Sequence, residues 1–128
     1  MKFPLLAGLA LATLAACDME RPDVETIPEV MQGRWGLVAA DCDPARDDAK
    51  GLMEVAATSL RFYETRATLA GVQMRDATRI TADFAFTGEG QSWTRRISLA
   101  AVEGGLALRR DDAGNGPEAL HVTYRRCP

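Results

Sequence analysis

The stretch RITADFAFTGEGQSWTRRISLA, residues 79–100, decides how this chain folds. Ile80, Ala82, Phe84 and Phe86 alternate with Arg79, Thr81, Asp83 and Thr87. An apolar residue at every second position marks a strand with one buried face, because successive side chains point to opposite sides. The GEG of residues 88–90 is a turn, and beyond it Trp93, Ile97 and Leu99 share one parity. Arg95 shares that parity too, so a regular strand would drive it into the core. A buried guanidinium needs a partner. Glu54 and Glu64, each in step with apolar neighbours, are the candidates; otherwise a bulge turns Arg95 outward.

The same reading extends in both directions. Downstream, EGG at 103–105 turns into LALRR, with Leu106 and Leu108 inward, and DDAGNGP at 111–117 is a third turn, rich in residues that tolerate positive φ. The closing ALHVTYRRC places Leu120, Val122 and Tyr124 on one face. Upstream, GRWGLVAADC sets Trp35, Leu37 and Ala39 on one side, GLMEVAATSLRFYE supplies one or two strands with Leu60 and Phe62 inward, and ATLAGVQM adds another around Leu69. No helical periodicity of useful length follows residue 32. Seven to eight short strands at regular spacing predict an all-β protein, a small antiparallel meander barrel.

The chemistry of an enzyme is not legible. His121 is the only histidine and lies on the outward parity of the last strand, while Ser59, Ser92 and Ser98 sit in strands rather than in a nucleophile turn. One histidine cannot assemble the usual zinc sets. Asp41, Asp43, Asp47 and Asp48 crowd one loop, but an EF-hand would need a ligand at Ala45, glycine at Arg46 and glutamate at Leu52. The loop reads as consecutive turns. The net charge of −3 and the lack of a basic, aromatic-laced patch exclude a nucleic-acid partner. No catalytic residue, metal or diffusible cofactor is expected.

At the N-terminus, Lys2 precedes an apolar run from Phe3 to Ala15, too short for a bilayer span of about 20 residues but suited to a secretory signal. It ends Leu14, Ala15, Ala16, Cys17, which resembles the bacterial lipobox. The resemblance implies cleavage before Cys17, a diacylglycerol on its thiol and acylation, often by palmitate, of the new amino group. Two or three chains anchor stably where one does not. It divides the chain into a signal peptide (1–16), a lipidated cysteine with a flexible tether (17–32) and a barrel domain (33–128). Acids and the prolines at 22 and 28 keep such a tether extended. Asp18, directly after the cysteine, matches the signal for retention in the inner membrane, with the outer membrane as the alternative. With Cys17 given to lipid on the periplasmic side, Cys42 and Cys127 remain, and their disulfide is the only intramolecular one open to them; free thiols or a bridge between molecules are the alternatives. The bridge would hold Cα atoms about 4.4–6.8 Å apart and so bring the first strand to the last, closing the barrel.

GRWGLV resembles the Gly-x-Trp opening of lipocalin-like barrels, matched here by Gly33 and Trp35. In that family an arginine of the last strand stacks on the tryptophan at one barrel end, and Arg126 has the parity to do so. Small bacterial inhibitors of metalloproteases and of lysozyme are similar in architecture. The former carry a disulfide between nearby early strands and the latter a Ser/Gly-rich loop followed by Tyr, both missing here. LRFYE and FAFTGEGQSW resemble small bacterial lipoproteins of unassigned activity. A barrel of eight strands is only just wide enough for its own side chains. The expectation is therefore a lipid-anchored, non-catalytic binding or structural module of the cell envelope, inhibitor-like in build, with an unidentified envelope protein as partner. The alternative is a carrier of a small hydrophobic ligand.

Overall fold

A computed structural model describes residues 25–114 and 119–128. The strands are β1 (Gly33–Gly36), β2 (Met53–Val55), β3 (Ser59–Arg61), β4 (Arg66–Arg75), β5 (Arg79–Gly88), β6 (Gln91–Val102), β7 (Ala107–Asp112) and β8 (Leu120–Arg126). Each pairs antiparallel with the next, and β8 returns to β1 through Trp35↔Arg126 and Gly36↔Arg125, so the sheet is a closed barrel. No α-helix occurs among the described residues; three short 3-10 helices cover Glu29–Met31, Ala39–Cys42 and Glu103–Gly105.

The stretch that opened the sequence becomes the longest hairpin, β5–β6, in unbroken register from Gly88↔Gln91 to Arg79↔Ala100. Its two-residue loop needs positive φ at both positions, which Glu89 (51°) and Gly90 (75°) supply. β4 is equally long but carries register shifts at Leu69/Gly71 and Val72/Met74. Such bulges bend a strand and raise its twist, which a closing sheet requires. Inside, Trp35, Leu60, Ile80, Phe84, Ile97, Leu99 and Leu108 are fully or almost fully buried, with Phe86 and Tyr124 close to it. Phe62, Leu69, Trp93 and Val122 pack against that core while partly exposed.

Four expectations are corrected. Leu37 and Leu106 are 43% and 64% exposed, and Ala39 is exposed as well, because all three lie outside the strands: β1 ends at Gly36 and β7 starts at Ala107. Strand parity has no force in a turn. In β2 the inward residues are Met53 and Val55, so Glu54 faces out and pairs with Arg34 at 3.6 Å; Glu64 is exposed. Neither reaches Arg95. Asp111 and Asp112 belong to β7 rather than to a turn, and Asp112 points inward. Finally, the folded domain does not begin at Gly33. Ile27, Pro28 and Met31 are buried, and the Ile27 N–H donates to Ala57 O at 2.7 Å. Burying Ile27 and Met31 stabilises by about 1.5–3 kcal/mol each, enough to order a short segment whose composition reads as a spacer.

Candidate functional site

Antiparallel order gives the barrel two distinct ends. One gathers the start of β1 and the end of β8, together with the β2–β3, β4–β5 and β6–β7 turns. There the Trp35 Nε1–H donates to Met31 O at 2.8 Å, so the segment 27–32 lies across the opening. The Arg126 guanidinium stacks 4.2 Å from the Trp35 ring centroid. It donates through Nε to Gly105 O (2.9 Å), through Nη1 to Gln32 O (3.0 Å) and through Nη2 to Val30 O. The planar fork of arginine meets three carbonyls and one aromatic face at once, a geometry lysine could not reproduce. The pair suggested by the lipocalin-like resemblance is present as geometry, and it seals this end.

At the other end sits a cluster that the sequence reading missed. Asp112 receives two bonds from Arg110, Nε to Oδ1 and Nη2 to Oδ2, both at 2.7 Å. A third comes from Arg95 Nη1 to Oδ2 at 3.3 Å. Arg110 also donates to the Tyr124 hydroxyl at 3.2 Å and lies 4.8 Å from the Phe62 ring centroid. The side chains of Arg110 and Asp112 are 7% and 0% exposed. Burial alone would lower the arginine pKa, but the bonds and charge of Asp112, with Tyr124, outweigh it and hold the pKa above the ordinary arginine value. The cation therefore persists, and the cluster ties β6, β7 and β8 together. Arg95 thus does point inward, as its parity requires, and Asp112 is one of its partners.

Above the cluster the rings of Phe62, Phe86 and Trp93 form a stack, with centroids 5.9 and 5.4 Å apart. Arg95 lies 5.7 Å from the Phe86 centroid. The Trp93 Nε1–H is buried and has no hydrogen-bond partner among the described residues. An unpaired buried donor costs about 1–3 kcal/mol, which an acceptor placed against it would recover.

Outside the barrel wall, Cys42 and Cys127 form the disulfide, with Cα atoms 5.2 Å apart. It fastens the 3-10 helix after β1 to the end of β8. In that loop Asp41 caps the chain: its carboxylate accepts from the N–H groups of Leu37 (3.0 Å), Val38 (3.1 Å) and Gly51 (3.3 Å). The acid serves the backbone, as a turn residue does. Beside the disulfide, Leu37, Val38 (61% exposed) and Ala39 line a groove of about 450 Å³ with Arg125, Arg126 and Pro128. His121 is exposed on β8, with Nδ1 2.6 Å from Asp111 Oδ1. Cys17 and Asp18, the lipidation and sorting residues expected from the lipobox, lie outside the described residues.

The chain has no match among protein-family models, curated proteins or solved structures.

Proposed function

We propose that this chain is a lipid-anchored lipoprotein of the bacterial envelope, displayed on the periplasmic side, whose barrel works without catalysis as a binding or structural module. Leu14 to Cys17 supply the anchoring signal, and Asp18 favours the inner membrane. A Cys42–Cys127 bridge agrees with an oxidising compartment. The observation that carries the choice of a binding module over a carrier is the interior. Trp35, Leu60, Ile80, Phe84, Ile97, Leu99 and Leu108 occupy the space where a lipocalin-like carrier would hold its ligand. What remains for recognition is outside: loops, edges and the rim.

Two measurements test this. Labelled palmitate should enter the wild-type protein in membranes, and Cys17→Ser should lose both the label and the membrane fraction. A fluorescent fatty-acid analogue added to the purified protein should show no saturable uptake. Stoichiometric uptake that Leu99→Trp abolishes would establish the carrier instead.

A further inference from the structure

β6 has 12 residues, and its two neighbours differ in reach. β5 accompanies it from Gln91 to Ala100, whereas the ladder with β7 begins only at Ile97↔Asp112. One more bond, from the Ala113 N–H to the Arg96 carbonyl at 2.9 Å, extends that ladder. In an antiparallel sheet, alternate residues turn both backbone groups to the same neighbour. The Arg96 carbonyl faces the β7 side, so Ser92 and Thr94 face it too, while Gln91, Trp93 and Arg95 face β5. Ser92 and Thr94 are exposed, and a cleft of about 390 Å³ lies along them, lined by residues 91–95. Among the described residues the wall thus has an open edge here, as it also does where β4 outruns β3 and where β8 outruns β1.

Two observations say what the edge takes. Bare edges in native sheets are usually blunted by proline, lysine, an inward-pointing charge or a bulge. Residues 91–95 contain neither proline nor lysine, the β5–β6 register runs through them unbroken, and their inward charge, Arg95, is neutralised by Asp112. Next, the Trp93 indole lines the same cleft and holds the buried Nε1–H that has no acceptor among the described residues.

The geometry points to the edge Gln91–Arg95 of β6 as the site where this protein takes an extended segment of a partner polypeptide, added as an antiparallel strand with a hydrogen-bond-accepting side chain opposite Trp93. Such a segment offers N–H and C=O groups at the spacing of Ser92 and Thr94, and its intervening side chain turns inward onto the indole. A second copy fits less well. Antiparallel pairing of two identical edges sets one barrel end-for-end against the other, while both chains enter at the sealed end, beside Ile27. Two copies anchored through Cys17 would then direct their anchors apart. This inference rests on the binding-module reading and names its partner class.

Hydrogen exchange of the mature protein in lipid nanodiscs, resolved to single residues, tests it. The probe is the synthetic peptide acetyl-Thr-Val-Asn-Val-Thr-amide at millimolar concentration. In the free protein the Ser92 and Thr94 amides should exchange about 100-fold faster than those of Trp93 and Arg95. The probe should slow the first pair about 10-fold and leave the second unchanged. Thr94→Pro, which removes an edge N–H but no bond to β5, should abolish the effect; a probe with alanine for asparagine should be weaker on wild type but not on Trp93→Phe. Protection of Ser92 and Thr94 in the free protein would mean that the chain covers its own edge. Protection that rises with protein concentration would mean a second copy, and a probe without effect, or equally effective when N-methylated, would mean no strand addition; each of these overturns the inference. Fatty-acid uptake overturns the binding-module reading instead, so the two failures are distinguishable.

Discussion

Replacing Asp112 by alanine isolates the energetics of the buried cluster. The carboxylate accepts two bonds from Arg110 at 2.7 Å and one from Arg95 at 3.3 Å. Arg95 is a quarter exposed and Asp112 is one of its interactions, so solvent screening keeps its contribution small. Arg110 differs: its side chain is 7% exposed and would keep only the Tyr124 hydroxyl and the Phe62 ring. A buried charge left without its counter-ion costs about 3–5 kcal/mol. Domains of this size are stable by about 5–15 kcal/mol, so the single change removes a large share. With a urea slope near about 1.5 kcal/mol/M, the midpoint should fall by about 2–3 M. Unfolding of the oxidised protein can be followed by the fluorescence of its two tryptophans. The double variant Arg110→Met/Asp112→Leu should recover to within about 1–2 kcal/mol of wild type, because the loss comes from stranding a charge and not from losing a pair. A loss below about 1 kcal/mol for Asp112→Ala, or a double variant no better than the single, would refute this account of the cluster.

Reducing the disulfide, or Cys42→Ser, releases a loop with a sequence separation of 85 and should cost up to about 4–5 kcal/mol, read as a fall in melting temperature with and without reductant. Arg126→Ala should cost about 2–4 kcal/mol from the lost carbonyl bonds and ring contact, and Arg126→Lys should recover less than half of it in the same urea titration. Asp83 is held below the ordinary aspartate pKa by the hydrogen bond from the Arg96 guanidinium, and Asp76 by the Thr78 N–H. A depressed folded pKa contributes stability above the unfolded value of about 3.9 and loses it as pH falls through the folded value. Urea midpoints should therefore drop below about pH 4, and Asp83→Asn should show a shallower drop; identical acid profiles would contradict this.

The barrel was legible where side chains alternate over many residues, as in β5 and β6, because period two survives any local accident. It failed where the element was short. Leu37 and Leu106 have the right parity and the wrong neighbourhood, since the strands beside them stop one residue away. Asp112 was hidden by its own chemistry: an acid followed by glycine and proline reads as a turn. Yet the parity of Leu108, carried through Arg110, lands on it, and the inward Arg95 required an acid. Ile27 and Met31 were masked by the acids and prolines around them, which dominate any average of composition. The Cys42–Cys127 pairing came from a count of three cysteines with one assigned to lipid, and the Trp35–Arg126 stack from the lipocalin-like resemblance.

The two ends of the barrel are secured by different physics. At the sealed end Arg126 is held by neutral carbonyls and an indole, and Ile27 joins the β2–β3 turn through Ala57. Arg75 Nε adds a bond to Thr26 O at 2.6 Å, so the chain enters the fold there. On the proposed anchoring through Cys17, residues 18–24 can span at most roughly 25 Å, at about 3.3–3.6 Å each. Under that proposal the sealed end would stay near the bilayer and the opposite end would face the periplasm. There the ladder with β7 ends at Asp112 while β6 continues to Gln91, and the charge cluster lies where that ladder stops. On the proposed binding-module reading, a close-packed interior leaves recognition to the open edges of the wall. The same asymmetry makes Asp112 the residue whose loss should loosen that rim first while leaving the seal around Arg126 in place.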